Sequence, residues 1–212
     1  MEHALRMDRI YAWQRFIYDA TRRFYLLGRD RLLEGLNPPR GGSVLEMGCG
    51  TGRNLELLGR LRPDLCLHGL DVSGQMLKTA RGKLAGRGTR LVCRPAEDLD
   101  PAADFGRSEG FDAVFFSYAL SMIPCWPEAL QAGLAAVKPG GTLAVVDFWG
   151  QGGLPGWLNW AHERWLGLFG VRFAPEVLLA LRDMERQGRV RLRLESVNRG
   201  YAFLAWAVKT DG

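Results

Sequence analysis

From about residue 44 the chain alternates short, nearly continuous apolar runs with segments of helical periodicity. The runs are 44–48 (VLEMG), 65–71 (LCLHGLD), 90–94 (RLVCR), 111–120 (FDAVFFSYAL) and 142–149 (TLAVVDFW). Between them, 53–61, 73–85 and 126–137 carry apolar side chains at helical spacing. Strands without polar alternation, separated by helices, predict a parallel sheet covered on both faces. VRLRLESV (190–197) alternates instead, Asn198-Arg199-Gly200 reads as a turn, and YAFLAWAVK (201–209) follows. That pattern predicts a terminal antiparallel hairpin. The expected fold is α/β: a doubly wound, mostly parallel seven-stranded sheet that ends in the hairpin.

Two segments stand outside the alternation. Residues 7–35 place Ile10, Trp13, Ile17, Ala20, Phe24 and Leu27 on one stripe, which predicts an amphipathic helix before the first strand. Residues 154–188 read as two helices broken near Gly170 and Pro175. Ligands of doubly wound folds sit above the strand carboxyl ends, where such additions form covers. The expected organisation is one domain over 1–212. It divides into a helical cap (1–40), a ligand-binding core (41–150), a helical insertion (151–188) and the hairpin (189–212).

Composition narrows the class without naming it. With 212 residues, 47% hydrophobic and 24% charged, the chain is ordinary globular material and not a disordered or disulfide-scaffold sequence. No run approaches the ~20 apolar residues of a membrane span, and MEHALRMDRI lacks the apolar core of a secretory signal. A cytoplasmic location is expected. Cys49, Cys66, Cys93 and Cys125 stand far apart, so they are expected to be reduced, buried thiols, with no metal site. The net charge of +5 favours an anionic partner, nucleic acid or membrane surface, without choosing between them.

The candidate chemistry begins at Val44-Leu45-Glu46-Met47-Gly48-Cys49-Gly50-Thr51-Gly52, a buried strand that runs into a glycine-dense loop opening a helix. Gly48 and Gly50 let the backbone approach a ligand closely, and loop amides at a helix start can hold an anionic group. A dinucleotide loop would carry a small residue at position 53, where Arg53 stands. Glu46 would repel a pyrophosphate and suits a cationic group. Asp71, at the end of the second run, is placed to accept hydrogen bonds from two ribose hydroxyls, with Ser73 available as the helix cap. An adenosine that bears a cation and no pyrophosphate is S-adenosylmethionine.

With E-x-G-x-G-x-G and the strand-end Asp71, residues 40–150 resemble the class I S-adenosylmethionine-dependent methyltransferases, whose fold is Rossmann-like. Ala96-Glu97-Asp98 and Lys138-Pro139-Gly140-Gly141-Thr142 fit the same family. The resemblance implies that Glu46, Gly48, Cys49, Gly50, Gly52 and Asn54 surround the methionine moiety, with Cys49 a small filler. It implies that Asp71 and Val72 meet the ribose, with Met76 beside them. Ala96 and Glu97 would bracket the adenine, and Ser117 and Tyr118 would face the reacting centre. Pro95 stands where the family often has Asp, so adenine N6 would be read by Glu97 or by backbone.

A narrower resemblance spans nearly the whole chain. It rests on Ile17-Tyr18-Asp19-Ala20-Thr21-Arg22, Leu26-Leu27-Gly28-Arg29-Asp30-Arg31, Cys49-Gly50-Thr51-Gly52-Arg53-Asn54, Ser117–Pro124 and Arg199-Gly200-Tyr201-Ala202. These segments are similar to the bacterial N-methyltransferases that convert diacylglycerylhomoserine to its trimethylated betaine lipid. The resemblance implies an aminolipid substrate, a peripheral position on the inner membrane face and functional coupling to the enzyme that makes diacylglycerylhomoserine. Tyr18 and Tyr118 are the candidates to orient the amine, and Arg22 or Arg23 to hold the head-group carboxylate. Trp157, Trp160 and Trp165 form an apolar half-face at 154–169 that suits a membrane interface, a core wall or a subunit contact. The alternatives are phosphatidylethanolamine N-methylation, or methylation of a quinone or other small molecule. No base-methylation dipeptide pattern is present, and nucleic acid is not expected as a partner.

Overall fold

The computed structural model describes residues 26–149, 175–198 and 200–210. In chain order these form α1 (Arg29–Glu34), β1 (Ser43–Met47), α2 (Arg53–Leu61), β2 (Cys66–Asp71), α3 (Gly74–Lys83), β3 (Arg90–Cys93), α4 (Pro101–Phe105) and β4 (Phe111–Ser117). α5 (Trp126–Ala135), β5 (Val137–Phe148), α6 (Pro175–Arg186), β6 (Val190–Val197) and β7 (Ala202–Lys209) follow. The strands make one seven-stranded sheet in the order β3-β2-β1-β4-β5-β7-β6. β1 to β5 pair in parallel, while β7 runs antiparallel between β5 and β6. This is the expected α/β architecture, terminal hairpin included.

Every residue of β1 is buried, as a central strand covered on both faces requires. Leu45 and Met47 face one core, with Leu130 and Leu134 of α5 and Leu181 and Met184 of α6. Val44 faces the other, with Leu32 of α1, Leu55 of α2 and Leu77 of α3. The strand order reverses between β1 and β4, so helices leave the sheet on opposite sides there. The carboxyl ends of those two strands open a crevice.

Several elements depart from the periodicity. The stripe of 7–35 predicts one helix, but Gly28 adopts φ 82 and α1 starts afresh at Arg29. Only the part from residue 26 onward is described. The fourth run predicts a strand to residue 120, yet β4 ends at Ser117. Tyr118 takes φ 54 there, and a 3-10 turn covers Leu120–Met122. Only Cys49 among the cysteines is buried; Cys66, Cys93 and Cys125 are exposed free thiols, since they lie at strand ends and a helix start. Of the insertion, α6 begins at Pro175 as expected, and the rest of 154–174 lies outside the described residues.

α1 is held on the hairpin by Trp206, whose Nε1 donates to the Leu32 carbonyl at 3.2 Å. Arg193 stacks its guanidinium 4.0 Å over the same ring, and Arg31 pairs with Glu195. On the opposite face, Gly133 lets α5 approach the sheet. A Cβ there would lie 2.8 Å from the fully buried Phe116 ring. In an open helix Gly→Ala stabilises by about 1 kcal/mol. Gly133→Ala should instead destabilise the fold by about 1–3 kcal/mol, because Phe116 has no room to yield. Chemical denaturation of the variant measures the sign.

Candidate active site

The glycine loop links β1 to α2 at the carboxyl edge of the sheet. Gly48, Gly50 and Gly52 adopt φ 77, 53 and 76, in the left-handed region that a side chain disfavours. The Gly48 and Cys49 amides both donate to the Leu70 carbonyl, at 2.8 and 2.9 Å. The Gly50 amide donates to Asp71 Oδ2 at 2.7 Å, and the Ser73 amide to Oδ1 at 2.8 Å. Ser73 itself caps α3, its Oγ accepting from the Met76 amide at 3.3 Å. The Asp71 carboxylate therefore fixes the loop while each oxygen keeps lone-pair capacity for a hydroxyl donor.

The second acid lies beneath the loop. Glu46 is 1% exposed, and its Oε1 accepts from Asn54 Nδ2 at 2.7 Å. Asn54 Oδ1 accepts from Arg53 Nη1 at 3.1 Å, and Arg53 Nη1 also donates to Asp30 Oδ1 at 2.5 Å. A continuous polar chain runs from α1 to the floor of the site. Burial, then the Asp71 and Glu46 charges, push the Cys49 thiol well above its usual range. Cys49 is a neutral filler with no thiolate chemistry, and the field around it is negative.

The structure thus brings Glu46, Gly48, Cys49, Gly50, Gly52, Asn54, Asp71, Val72 and Met76 to one edge of the sheet. Ala96 and Glu97 lie on the adjoining 3-10 turn Ala96–Asp98, whose approach is tied to Asp71 by the Arg94 amide at 3.0 Å. Ser117 ends β4 next to β1, and its buried Oγ has no hydrogen-bond partner among the described residues. A carboxylate at the end of β2, a second one under the loop, an orphaned hydroxyl and a bare glycine backbone fit an adenosine carrying a cationic amino-acid moiety. The described residues include no cluster of His, Cys, Asp or Glu arranged to hold a metal ion.

Among the described candidates, Tyr118 is the one whose environment departs from its expected task. It is 2% exposed, and its hydroxyl donates to the Leu27 carbonyl at 2.6 Å. Its ring packs 4.6 Å from Phe148, which in turn meets Tyr201 edge-on. Burial first, then the Asp147 charge, raise the phenol far above its normal range. Tyr118 therefore anchors the segment before α1 to the core, and its hydroxyl is committed away from an incoming amine. Tyr18, Arg22, Arg23 and the Trp-rich stretch lie outside the described residues.

Sequence reasoning missed three contributors. Gly69 sits mid-strand in β2, where a Cβ would come 2.9 Å from Cys49 Sγ and 2.8 Å from Leu55. A glycine inside a strand is the signal for such close approach. Lys83 Nζ donates to Thr51 Oγ1 at 3.2 Å and steadies the loop from α3. Asp147, wholly buried at the end of β5, holds the turn after Tyr118.

Comparison with known proteins agrees with this geometry. Residues 45–143 match the family described as a methyltransferase domain. Trans-aconitate 2-methyltransferase of Rhodopseudomonas palustris is 34% identical over 118 residues, 55% of this chain and 42% of that protein. Demethylmenaquinone methyltransferase of Listeria monocytogenes is 29% identical over 153 residues, 69% of this chain and 62% of that protein. The chain therefore spans less than two thirds of either relative. A possible histamine N-methyltransferase from Thermotoga maritima shares the fold with a TM-score of 0.72 at 20% identity, over 96% of this chain and 100% of that one. Strand order, glycine loop, paired acids and matched span together make this chain similar, over residues 45–143, to the class I S-adenosylmethionine-dependent methyltransferases.

Proposed function

We propose that the chain transfers the methyl group of S-adenosylmethionine to a small organic acceptor that brings its own lone pair. The observation that carries this reading is the placement of the Asp71 and Glu46 carboxylates around the bare glycine loop, which suits S-adenosylmethionine. The Tyr118 phenol is bonded to Leu27 and raised, and the Cys49 thiol is neutral. S-adenosylmethionine supplies an electrophilic methyl on a sulfonium sulfur. Asp71 would orient the ribose, Glu46 would face the cationic end, and the buried walls around Phe148 would exclude water. Alignment and desolvation then do most of the work. An amine, a quinol or a carboxylate meets that requirement. The relatives, as their names state, act on demethylmenaquinone and on trans-aconitate.

A second reading rests on the Cys49–Asn54 and Ser117–Pro124 segments, which are similar to the betaine-lipid N-methyltransferases. In it the acceptor is diacylglycerylhomoserine, methylated successively on an amine that its adjacent free carboxylate raises above the ~8 of a peptide α-amine. The membrane surface and the enzyme that supplies the lipid are then partners, and the protein works at the inner face of the membrane. No helix among the described residues is long and apolar enough to cross a membrane. A peripheral contact would fall to other surfaces.

Incubation with methyl-labelled S-adenosylmethionine and a panel of demethylmenaquinol, trans-aconitate, diacylglycerylhomoserine and phosphatidylethanolamine separates these readings. Label in the quinol or the acid supports the first, and label in the homoserine lipid the second. Label only in phosphatidylethanolamine, or in none of the four, would contradict both. Independently, Asp71→Ala removes the acceptor of the Gly50 and Ser73 amides and of the ribose. Charge-assisted bonds of this kind contribute about 1.5–3 kcal/mol, so calorimetry should show S-adenosylhomocysteine binding weakened about tenfold or more.

A further inference from the structure

Asp147 is fully buried at the carboxyl end of β5, on the face of the sheet opposite Phe148 and Tyr118. Its Oδ2 accepts the Ser121 amide at 3.0 Å, and its Oδ1 accepts the Phe148 amide at 2.9 Å. Ser121 belongs to the 3-10 turn that follows Tyr118 and Ala119. That turn abuts the cofactor loop: a Cβ on Gly48 would fall 2.7 Å from the Ala119 Cβ. Tyr118, at the head of the turn, holds φ 54, a conformation that an L-residue keeps only when its surroundings impose it. One carboxylate thus ties β5 to the turn against which the glycine loop rests.

An ionised carboxylate accepts amide hydrogen bonds more strongly than a carboxylic acid, whose protonated oxygen is the weaker acceptor. We infer that Asp147 is a positioning residue whose ionised carboxylate holds the Tyr118–Met122 turn against Gly48, so that its protonation loosens the cofactor loop and lowers cofactor affinity. The inference rests on the cofactor site described above and is indifferent to the acceptor. Burial raises the Asp147 carboxyl to about 6, against the Ser121, Phe148 and Leu120 donors that hold it down.

Among the described residues, the groups on adjoining elements do not replace its charge. The turn contributes only the uncharged donors of Leu120 and Ser121, and the register partner on β7 is the apolar Phe203. Tyr118 feels Asp147 from the position just after β4, and Tyr201, just before β7, and Arg29 of α1 act on that same phenol. Because the folded carboxyl titrates above its unfolded value, its stabilising contribution is complete below the unfolded value and is lost as pH rises through about 6. Acid therefore relaxes the site without this group weakening the fold.

Calorimetric titration of S-adenosylhomocysteine into the wild type and Asp147→Asn, across about pH 5 to 8.5, tests the inference. The wild-type affinity should fall about tenfold as pH drops through about 6, the size of one weakened charge-assisted bond. Asp147→Asn should bind more weakly than wild type at high pH and show no such midpoint. A flat wild-type profile, or the same midpoint in Asp147→Asn, overturns the inference. Absence of wild-type binding at high pH overturns the cofactor reading itself. If the variant does not fold, the wild type still decides. By reciprocity S-adenosylhomocysteine must lower the Asp147 titration midpoint followed by carboxyl carbon NMR, and an unmoved midpoint contradicts the inference.

Discussion

The Asp71 carboxylate is the constraint on which the site depends. One oxygen takes the Gly50 amide and the other the Ser73 amide, so a single side chain joins the glycine loop, the end of β2 and the start of α3. The loop can reach it only because positions 48, 50 and 52 accept left-handed backbone, and because Gly69 leaves room behind Cys49. β1, buried on both faces, supplies the rigid base from which the loop departs. The geometry is paid for in the core and used at the edge.

Two further polar links brace the same loop from opposite sides. Asp30, Arg53, Asn54 and Glu46 form a chain that begins at α1 and ends under the loop. Asp147 holds the turn that abuts Gly48 from the β5 side. Position 53 shows why the ligand differs from a dinucleotide. A third small residue there would let a helix approach a pyrophosphate, whereas the Arg53 side chain is directed to Asp30 and Asn54. The resulting site is negative beneath and bare above, which is the environment a sulfonium-bearing amino acid requires.

Much of this was legible in the residue pattern. Apolar runs gave away the parallel strands because a strand buried on both faces has no polar alternation, and VRLRLESV marked the hairpin because its outer face is solvated. Glu46, the glycines and Asp71 were legible because loop, helix start and strand end are adjacent in sequence. The break at Gly28 was not, since apolar periodicity runs through a residue whose φ it does not report. Tyr118 and Asp147 were misjudged or missed for another reason. Their partners, the Leu27 carbonyl and the Ser121 amide, are distant in the chain and meet them only in the folded sheet. The acceptor was read from Tyr18, Arg22, Arg23 and the tryptophans of 154–169, none of which lies among the described residues.

A crystal structure of the chain with S-adenosylhomocysteine bound tests the central claim most directly. Both ribose hydroxyls are expected on the Asp71 carboxylate, the homocysteine moiety over Gly48 and Gly50 on the side of Glu46, and the adenine against Ala96 and Glu97. An adenosine bound away from the end of β2, or an Asp71 that still holds its two amides but makes no contact with the ribose, would contradict it.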